Sequence, residues 1–311
     1  MYGGSFRDDF RNAWNKPNNA VAQIIIINVV IFIALLLLDI FLPDKIFDQI
    51  HKQFVIPPLI SEFVCRPYTI LTYAFTHNLR GILHIAFNLL IFYWFGKLIA
   101  EYLGSDKVIS IYVMGAISGA LLYLFAYNLV PEYRTIAINT LAEDPTWGMV
   151  GASGAIYAIV VAAAVKLPNY TFYLLFFGPV RIKYIAVFVV LLSLVGINAN
   201  NNIGGNIAHL GGVFMGWLFI VQLNKGYNLG GWVISSITFI KSLFKPSPKI
   251  KVTHRSRPKQ TTRKSSKKTA KSGRTEGTSQ EEIDAILDKI SQKGYESLSK
   301  EEKQKLFNAS K

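Results

Sequence analysis

With 311 residues, 51% of them hydrophobic and 17% charged, the chain carries a formal charge of +14 and a mean hydropathy of +0.31. The charge is unmixed, almost absent over long stretches before residue 225 and dense in the tail, which excludes a globular domain with one large core and points to a polytopic membrane protein with a soluble tail. A single cysteine, Cys65, excludes an intrachain disulfide.

In chain order, residues 1–19 hold Arg7, Asp8, Asp9, Arg11 and Lys16 and no apolar run. They read as a cytoplasmic N-terminal segment and not as a cleavable signal peptide. Six apolar spans follow, at 20–42, 82–103, 107–130, 150–167, 183–199 and 203–223. A spanning helix needs about 20 residues for a hydrocarbon core of about 30 Å. The fourth and fifth spans are short by that measure.

Lys and Arg set the expected orientation. With six spans both termini share one side. Lys97, Lys107, Lys166, Arg181, Lys183 and the tail lie on that side, whereas the third-to-fourth loop opposite holds Arg134. The positive-inside rule then puts both termini in the cytoplasm. The long loop 43–81 runs against the rule, with Lys45, Lys52, Arg66 and Arg80, but long loops carry less weight. With no organelle-type presequence visible, the bacterial cytoplasmic membrane is the expected location.

Three spans place polar residues where lipid disfavours them. Counting at 1.5 Å per residue from the nearest cytoplasmic lysine puts Ser153 and His84 about 20 Å deep and His209 about 24 Å deep. All three fall in one layer, roughly 6–10 Å below the outer surface of the core. An ionisable group at that depth is costly and reads as functional. A serine on one helix and a histidine on another are the minimum set for nucleophilic catalysis. Asn88 lies one turn from His84 on the same face.

Small residues give those helices a way to meet. Gly205, His209, Gly212 and Gly216 share one face of the sixth span, and Gly151, Gly154 and Ala155 flank the serine. Such positions let backbones approach closely in lipid. For Gly115 and Gly119 in the third span, helix packing is the preferred reading. No carboxylate lies inside the membrane to orient His209: Asp39 and Glu101 are near span ends. A serine–histidine dyad is therefore expected in place of a triad. The Ser153 amide, at a helix start with free N–H groups, and the side chains of His84 and Asn88 are candidate oxyanion donors.

Gly151-x-Ser153-Gly154 followed by Tyr157, Ala208-His209-x-x-Gly212-x-x-x-Gly216, and His84-x-x-x-Asn88 together resemble the motifs of the rhomboid intramembrane proteases, in the same order and on the same spans. The resemblance covers about residues 20–225. It implies Ser153 as nucleophile and His209 as general base, with His84, Asn88 and the Ser153 amide as the oxyanion hole. It further implies that Tyr157 packs on the His209 ring, that Gly212 gives the close contact between the fourth and sixth helices, and that the fifth span is a mobile wall. Cys65-Arg66 stands where rhomboids carry a Trp-Arg pair, so that loop motif is half matched. The implied reaction is hydrolysis of a peptide bond in or near a transmembrane helix of a membrane-protein substrate, close to the outer face. No cofactor and no metal is expected, since no ligand cluster is offered. A catalytically inactive, rhomboid-like protein that binds and escorts membrane proteins is the alternative; that class lacks the serine or the histidine, and this chain has both. A transporter would predict an internal repeat and intramembrane charge; neither is seen.

Residues 226–244 contain an apolar run at 230–244 too short to span, which reads as an interfacial helix. From Lys245 to Arg274 there are twelve Lys or Arg and no Asp or Glu. That composition predicts a disordered basic linker over 245–278, suited to anionic lipid headgroups at a cytoplasmic face. No aromatic interleaving supports nucleic acid as a partner. Residues 279–311 regain helical signals. Ser279-x-x-Glu282 and Ser299-x-x-Glu302 read as capping boxes, Ile283, Ile286, Leu287 and Ile290 form one stripe, and Gly294 ends the first helix. Two such helices bury little alone, so a partner of unknown identity is expected. The fold class is thus an all-α membrane protein: a six-transmembrane-helix rhomboid-like bundle, a disordered basic linker and a small C-terminal helical hairpin.

Overall fold

The computed structural model describes Trp14 and residues 19–174, 178–244 and 280–309. The chain divides into two compact units, Met1–Ser247 and Pro248–Lys311. In the first unit, α1 (Ala20–Phe41) leads into a connection holding the short helices α2 (Asp44–His51), α3 (Ile60–Phe63) and α4 (Thr69–Thr72), the last continued by a 3-10 turn at Tyr73–Phe75. Then come α5 (Ile82–Leu103), α6 (Ser105–Leu129), α7 (Pro131–Glu143), α8 (Ser153–Lys166), the strands β1 (Thr171–Leu174) and β2 (Gly178–Arg181), α9 (Ile182–Asn198), α10 (Ile203–Asn224) and α11 (Gly231–Phe244).

Helices occupy all six apolar runs. Four of them, α1, α5, α6 and α10, are 22 to 25 residues long and apolar enough to cross a membrane; α8 and α9 are shorter. Large apolar side chains stand exposed along them, as on α9, where Val187, Phe188, Leu191, Leu192 and Val195 face outward. A surface of that kind belongs to a membrane protein. Hydropathy did not anticipate the antiparallel pairing of β1 with β2, in which Thr171 faces Arg181 and Leu174 faces Gly178.

The fourth run departs from its expected bounds of 150–167. It becomes helical only at Ser153. The preceding chain reaches that point without helix, and its backbone is satisfied from elsewhere. Ile56 and Met149 exchange N–H···O=C bonds of 3.1 and 3.0 Å, and the Gly151 N–H donates to the Tyr73 carbonyl at 3.0 Å. Non-helical backbone at membrane depth is tolerated only where protein or water pairs it. Here the protein does so.

α8 is the hub. Its face is Ala- and Val-rich all round, ten of its 14 residues are buried, and it packs against α5, α6, α9 and α10. A helix apolar on every side belongs in the centre of a bundle. The contacts are made through missing side chains. A Cβ on Gly212 would lie 1.9 Å from the Gly154 carbonyl oxygen, and one on Gly216 would lie 2.2 Å from that of Ala158. Gly115 meets Ala158 in the same way, and Gly119 meets the Ala208 carbonyl, which fits the packing role expected of both. Gly205 differs from the expectation that it shares this packing face. Its Cβ would meet the Asn202 side chain of its own helix start, so it makes room for a local turn and not for another helix.

Polar side chains tie the remaining elements to this centre. Asn28 on α1, fully buried, donates to the Ile24 carbonyl at 2.8 Å and lies 3.4 Å from the Tyr112 hydroxyl, which donates to the Ala74 carbonyl at 2.7 Å. Arg66 donates to the Lys52 carbonyl and pairs with Glu62 at 3.0 Å, pinning the connection between α1 and α5. The expected interfacial segment is helical from Gly231, and its start is held on α6 by Ser110, which donates to the Gly230 carbonyl at 3.1 Å.

In the second unit, α12 (Gln280–Lys293) and α13 (Lys300–Ala309) flank a 3-10 turn at Tyr295–Ser297. Ile286 and Leu298 are buried, and Gly294 ends α12 at a φ of +79°. The capping box at Ser299 forms as read: the Ser299 N–H donates to Glu302 at 2.7 Å, and the Glu302 N–H donates to Ser299 Oγ at 3.2 Å. Ser279 and the basic linker lie outside the described residues.

Two outcomes follow. Gly212→Ala must push two backbones apart, so it should lower stability by about 1–3 kcal/mol, whereas Gly231→Ala, where a Cβ meets nothing nearer than 3.5 Å, should leave the melting midpoint of the purified protein unchanged. In the hairpin, hydrogen bonds from Lys289 and the Ser299 amide hold the Glu302 carboxyl below its ordinary value of 4.5. A lowered carboxyl contributes its full stabilisation above the ordinary value and loses it as pH falls from there through the lowered value of the folded state. Amide exchange over 300–309, corrected for intrinsic rate, should accelerate below about pH 4.5 and lose that dependence in Glu302→Gln.

Candidate active site

Ser153 is the first residue of α8. Its position follows from the chain before it. Gly151 has a φ of +135°, a region that side chains disfavour. That backbone turns the approaching segment into the helix. No side chain caps α8, so its first amides, that of Ser153 among them, are free of helical partners. A Cβ on Gly151 would sit 3.6 Å from Ser153 Oγ.

His209 lies two turns into α10 and is buried, 9% exposed. Gly154, one residue after the serine, packs under the Ala208 carbonyl, so the two helices are already close where the two polar side chains project. His209 Nε2 and Ser153 Oγ are 2.8 Å apart. Tyr157, one turn along α8, stacks on the imidazole with ring centroids 4.0 Å apart and planes 11° from parallel. The imidazole is held on one face by an aromatic ring and at one edge by the serine.

The other edge is held by a residue that the motif reading missed. Ser193 on α9 places Oγ 3.0 Å from His209 Nδ1, and the same Oγ bonds to the Val189 carbonyl at 3.3 Å. Ser193 is 1% exposed. It is the sole polar residue between Tyr184 and Asn198. A lone hydroxyl in an apolar run was the available signal.

His84 and Asn88 pair with each other on α5, Asn88 Nδ2 to His84 Nε2 at 3.1 Å. If Asn88 donates, His84 carries its proton on Nδ1. The His77 ring centroid lies 6.4 Å from that of His84, and His77 is buried. A cavity of about 560 Å³ is walled by His84, Val150, Trp147, Asn202 and Gly205 among others. Its walls reach Val150 and Gly205, three residues before Ser153 and four before His209. Neither Ser153 nor His209 lines the space, which lies on the side of the segments leading into α8 and α10.

Chemically, the arrangement can move a proton. A hydroxyl 2.8 Å from an imidazole nitrogen is within the range for general-base transfer. Of the residues expected from sequence, His209 touches Ser153 and is stacked on Tyr157, Gly151, Gly154 and Gly212 shape the two helices around them, Gly216 extends the contact, and His84 stands at the cavity wall with Asn88 bonded to it.

Comparison with known proteins matches residues 64–225 to the Rhomboid domain and residues 275–311 to a family of unknown function (DUF6576). Two relatives come from Arabidopsis thaliana. "RHOMBOID-like protein 12, mitochondrial" is 33% identical over 164 residues, which cover 52% of this chain and 48% of that protein. "Rhomboid-like protein 16, chloroplastic" is 27% identical over 238 residues, 72% of this chain and 69% of that one. The chain thus matches about half the length of the first relative. Both names are organellar, so the expected bacterial cytoplasmic membrane finds no support in them; residence in a membrane is what the apolar helices carry.

Gly151→Ala would force a side chain onto a backbone at φ +135°. The expected cost is about 1–3 kcal/mol, read as a lower melting midpoint, with the Ser153–His209 geometry disturbed because the strained residue sits two positions before the serine.

Proposed function

The chain belongs to the rhomboid family, and on that footing we propose that it is an intramembrane serine endopeptidase, cutting peptide bonds in or near the transmembrane helices of membrane proteins close to the outer face. The observation that carries this reading is the 2.8 Å contact between Ser153 Oγ and His209 Nε2. All six apolar helices cross the bilayer, α8 and α9 as short spans. Both termini lie on the cytoplasmic side, where the basic linker meets anionic headgroups.

The reaction runs in two steps. His209 Nε2 takes the Ser153 proton as Oγ attacks the peptide carbonyl. The oxyanion that forms is met by the Ser153 N–H, at the uncapped start of α8, and by His84 and Asn88. The imidazolium gives its proton to the leaving amine, and an acyl-enzyme remains. Water then enters from the side of the cavity, gives a proton to His209 as its oxygen attacks the acyl carbon, and the ester bond breaks as His209 returns a proton to Ser153 Oγ, releasing the acid. Tyr157 keeps the ring in plane throughout, supported by its 4.0 Å stacking. The substrate must offer an extended peptide bond to this site, which favours helices that unwind easily near the outer surface.

A binding or escort role within the same family needs neither the hydroxyl nor the imidazole. The pairing of both, with a stacked tyrosine, favours the enzyme. Ser153→Ala and His209→Ala should each reduce cleavage of a model transmembrane substrate to background, a loss on the order of 10⁴-fold or more, at unchanged expression. A fluorophosphonate should label the wild type and leave Ser153→Ala unlabelled. Cleavage retained by the Ser153→Ala protein would refute the assignment.

A further inference from the structure

We infer that Ser193 is a positioning residue of this site, the hydroxyl that keeps the His209 proton on Nδ1 and leaves Nε2 bare for Ser153. The inference rests on the serine-protease reading above.

It follows from counting hydrogens across three contacts. Ser153 Oγ lies 2.8 Å from Nε2, Ser193 Oγ 3.0 Å from Nδ1, and Ser193 Oγ 3.3 Å from the Val189 carbonyl. A neutral imidazole has one N–H and one bare nitrogen. For Ser153 to give up its proton, Nε2 must be bare, so Nδ1 carries the hydrogen and donates to Ser193 Oγ. The Ser193 hydrogen then needs an acceptor, and the Val189 carbonyl one turn back is in reach. The Tyr157 hydroxyl also bonds with Ser193, whose second lone pair can take its hydrogen, so every donor has an acceptor in this direction. The reverse direction, Ser193 O–H donating to Nδ1, puts the hydrogen on Nε2 and turns it toward the nucleophile, where it is no base. The Val189 carbonyl biases the chain toward the first arrangement, because a serine bonded back to its own helix presents lone pairs to its neighbour.

Among the described residues, the groups bonded to or stacked on the imidazole are Ser153 and Tyr157 from α8 and Ser193 from α9. None is a carboxylate. In catalysis the moving proton passes from Ser153 Oγ to Nε2 and on to the leaving amine; the Nδ1 hydrogen stays in place, and Ser193 Oγ accepts it in both charge states. A neutral acceptor is cheaper to bury at this depth than an aspartate. Because Ser193 stands on α9 and His209 on α10, the imidazole is oriented by how those two helices are seated.

The test uses the full chain in detergent or bilayer, with the wild type, Ser193→Ala, Ser193→Thr and Ser153→Ala. Fluorophosphonate labelling rates, kcat and KM on a transmembrane substrate, melting midpoints and the ¹⁵N signals of His209 are measured. Ser193→Ala should lower kcat and the labelling rate about tenfold, the scale of one buried hydrogen bond, with KM within about twofold of wild type. Ser193→Thr, which keeps the hydroxyl, should recover most of the loss. The His209 signals should report hydrogen on Nδ1 in wild type and a tautomer mixture in Ser193→Ala. A Ser193→Ala protein as fast as wild type, a threonine variant as slow as alanine at the same melting midpoint, or hydrogen on Nε2 in wild type would overturn the inference and leave the protease reading standing. Wild type and Ser153→Ala behaving alike would bring down both.

Discussion

The structure depends on the approach of two backbones. α8 and α10 meet where Gly212 lies against the Gly154 carbonyl, so close that a methyl group on Gly212 would be 1.9 Å from that oxygen. In lipid no hydrophobic driving force pushes helices together, so contact of this kind rests on dispersion and on the absence of side chains. Everything at the site inherits its position from it. The serine at the start of α8 and the histidine two turns into α10 come within hydrogen-bonding distance because the rods that bear them are in backbone contact just below.

A second constraint is that polar groups at this depth are costly to bury unless they are paired. The chain solves it three times. The segment before α8 takes its partners from Ile56 and Tyr73 and so reaches the bundle interior without helix. Asn28 bonds its own helix and lies beside Tyr112, stitching α1 to α6. His209 is enclosed by two serines and a tyrosine ring from two neighbouring helices. In each case the partner is a neutral group or a backbone atom, which avoids the cost of a buried charge. The same economy explains how an imidazole can be oriented with no carboxylate near it.

The second unit obeys different rules. Its helices are short and polar, its buried residues few, and its order comes from local devices: a reciprocal cap at Ser299 and Glu302, a glycine stop at Gly294, and ion pairs such as Lys289 with Glu302 at 2.8 Å. Surface pairs of that sort contribute little one by one. The match of residues 275–311 to a family of unknown function gives this hairpin a recognised boundary of its own.

Hydropathy alone located the helices on the six apolar runs, because burial in lipid demands about 20 apolar residues whatever their neighbours. Local spacing pointed to Ser153, His209, His84 and Asn88, since one turn of helix puts fixed intervals on one face. The second hairpin cap was legible for the same reason, as a pattern within four residues. What hydropathy and spacing did not reveal was contact between distant segments: Ser193 against His209, Ile56 against Met149, Gly205 against its own turn and not another helix, and a fourth helix that begins at the serine and not before it. Those depend on which faces meet once the helices are packed. Sequence determined which segments are helical and which side chains are out of place in lipid; tertiary structure alone decided which of those side chains touch, because hydrogen-bond partners are chosen by distances that no local pattern encodes.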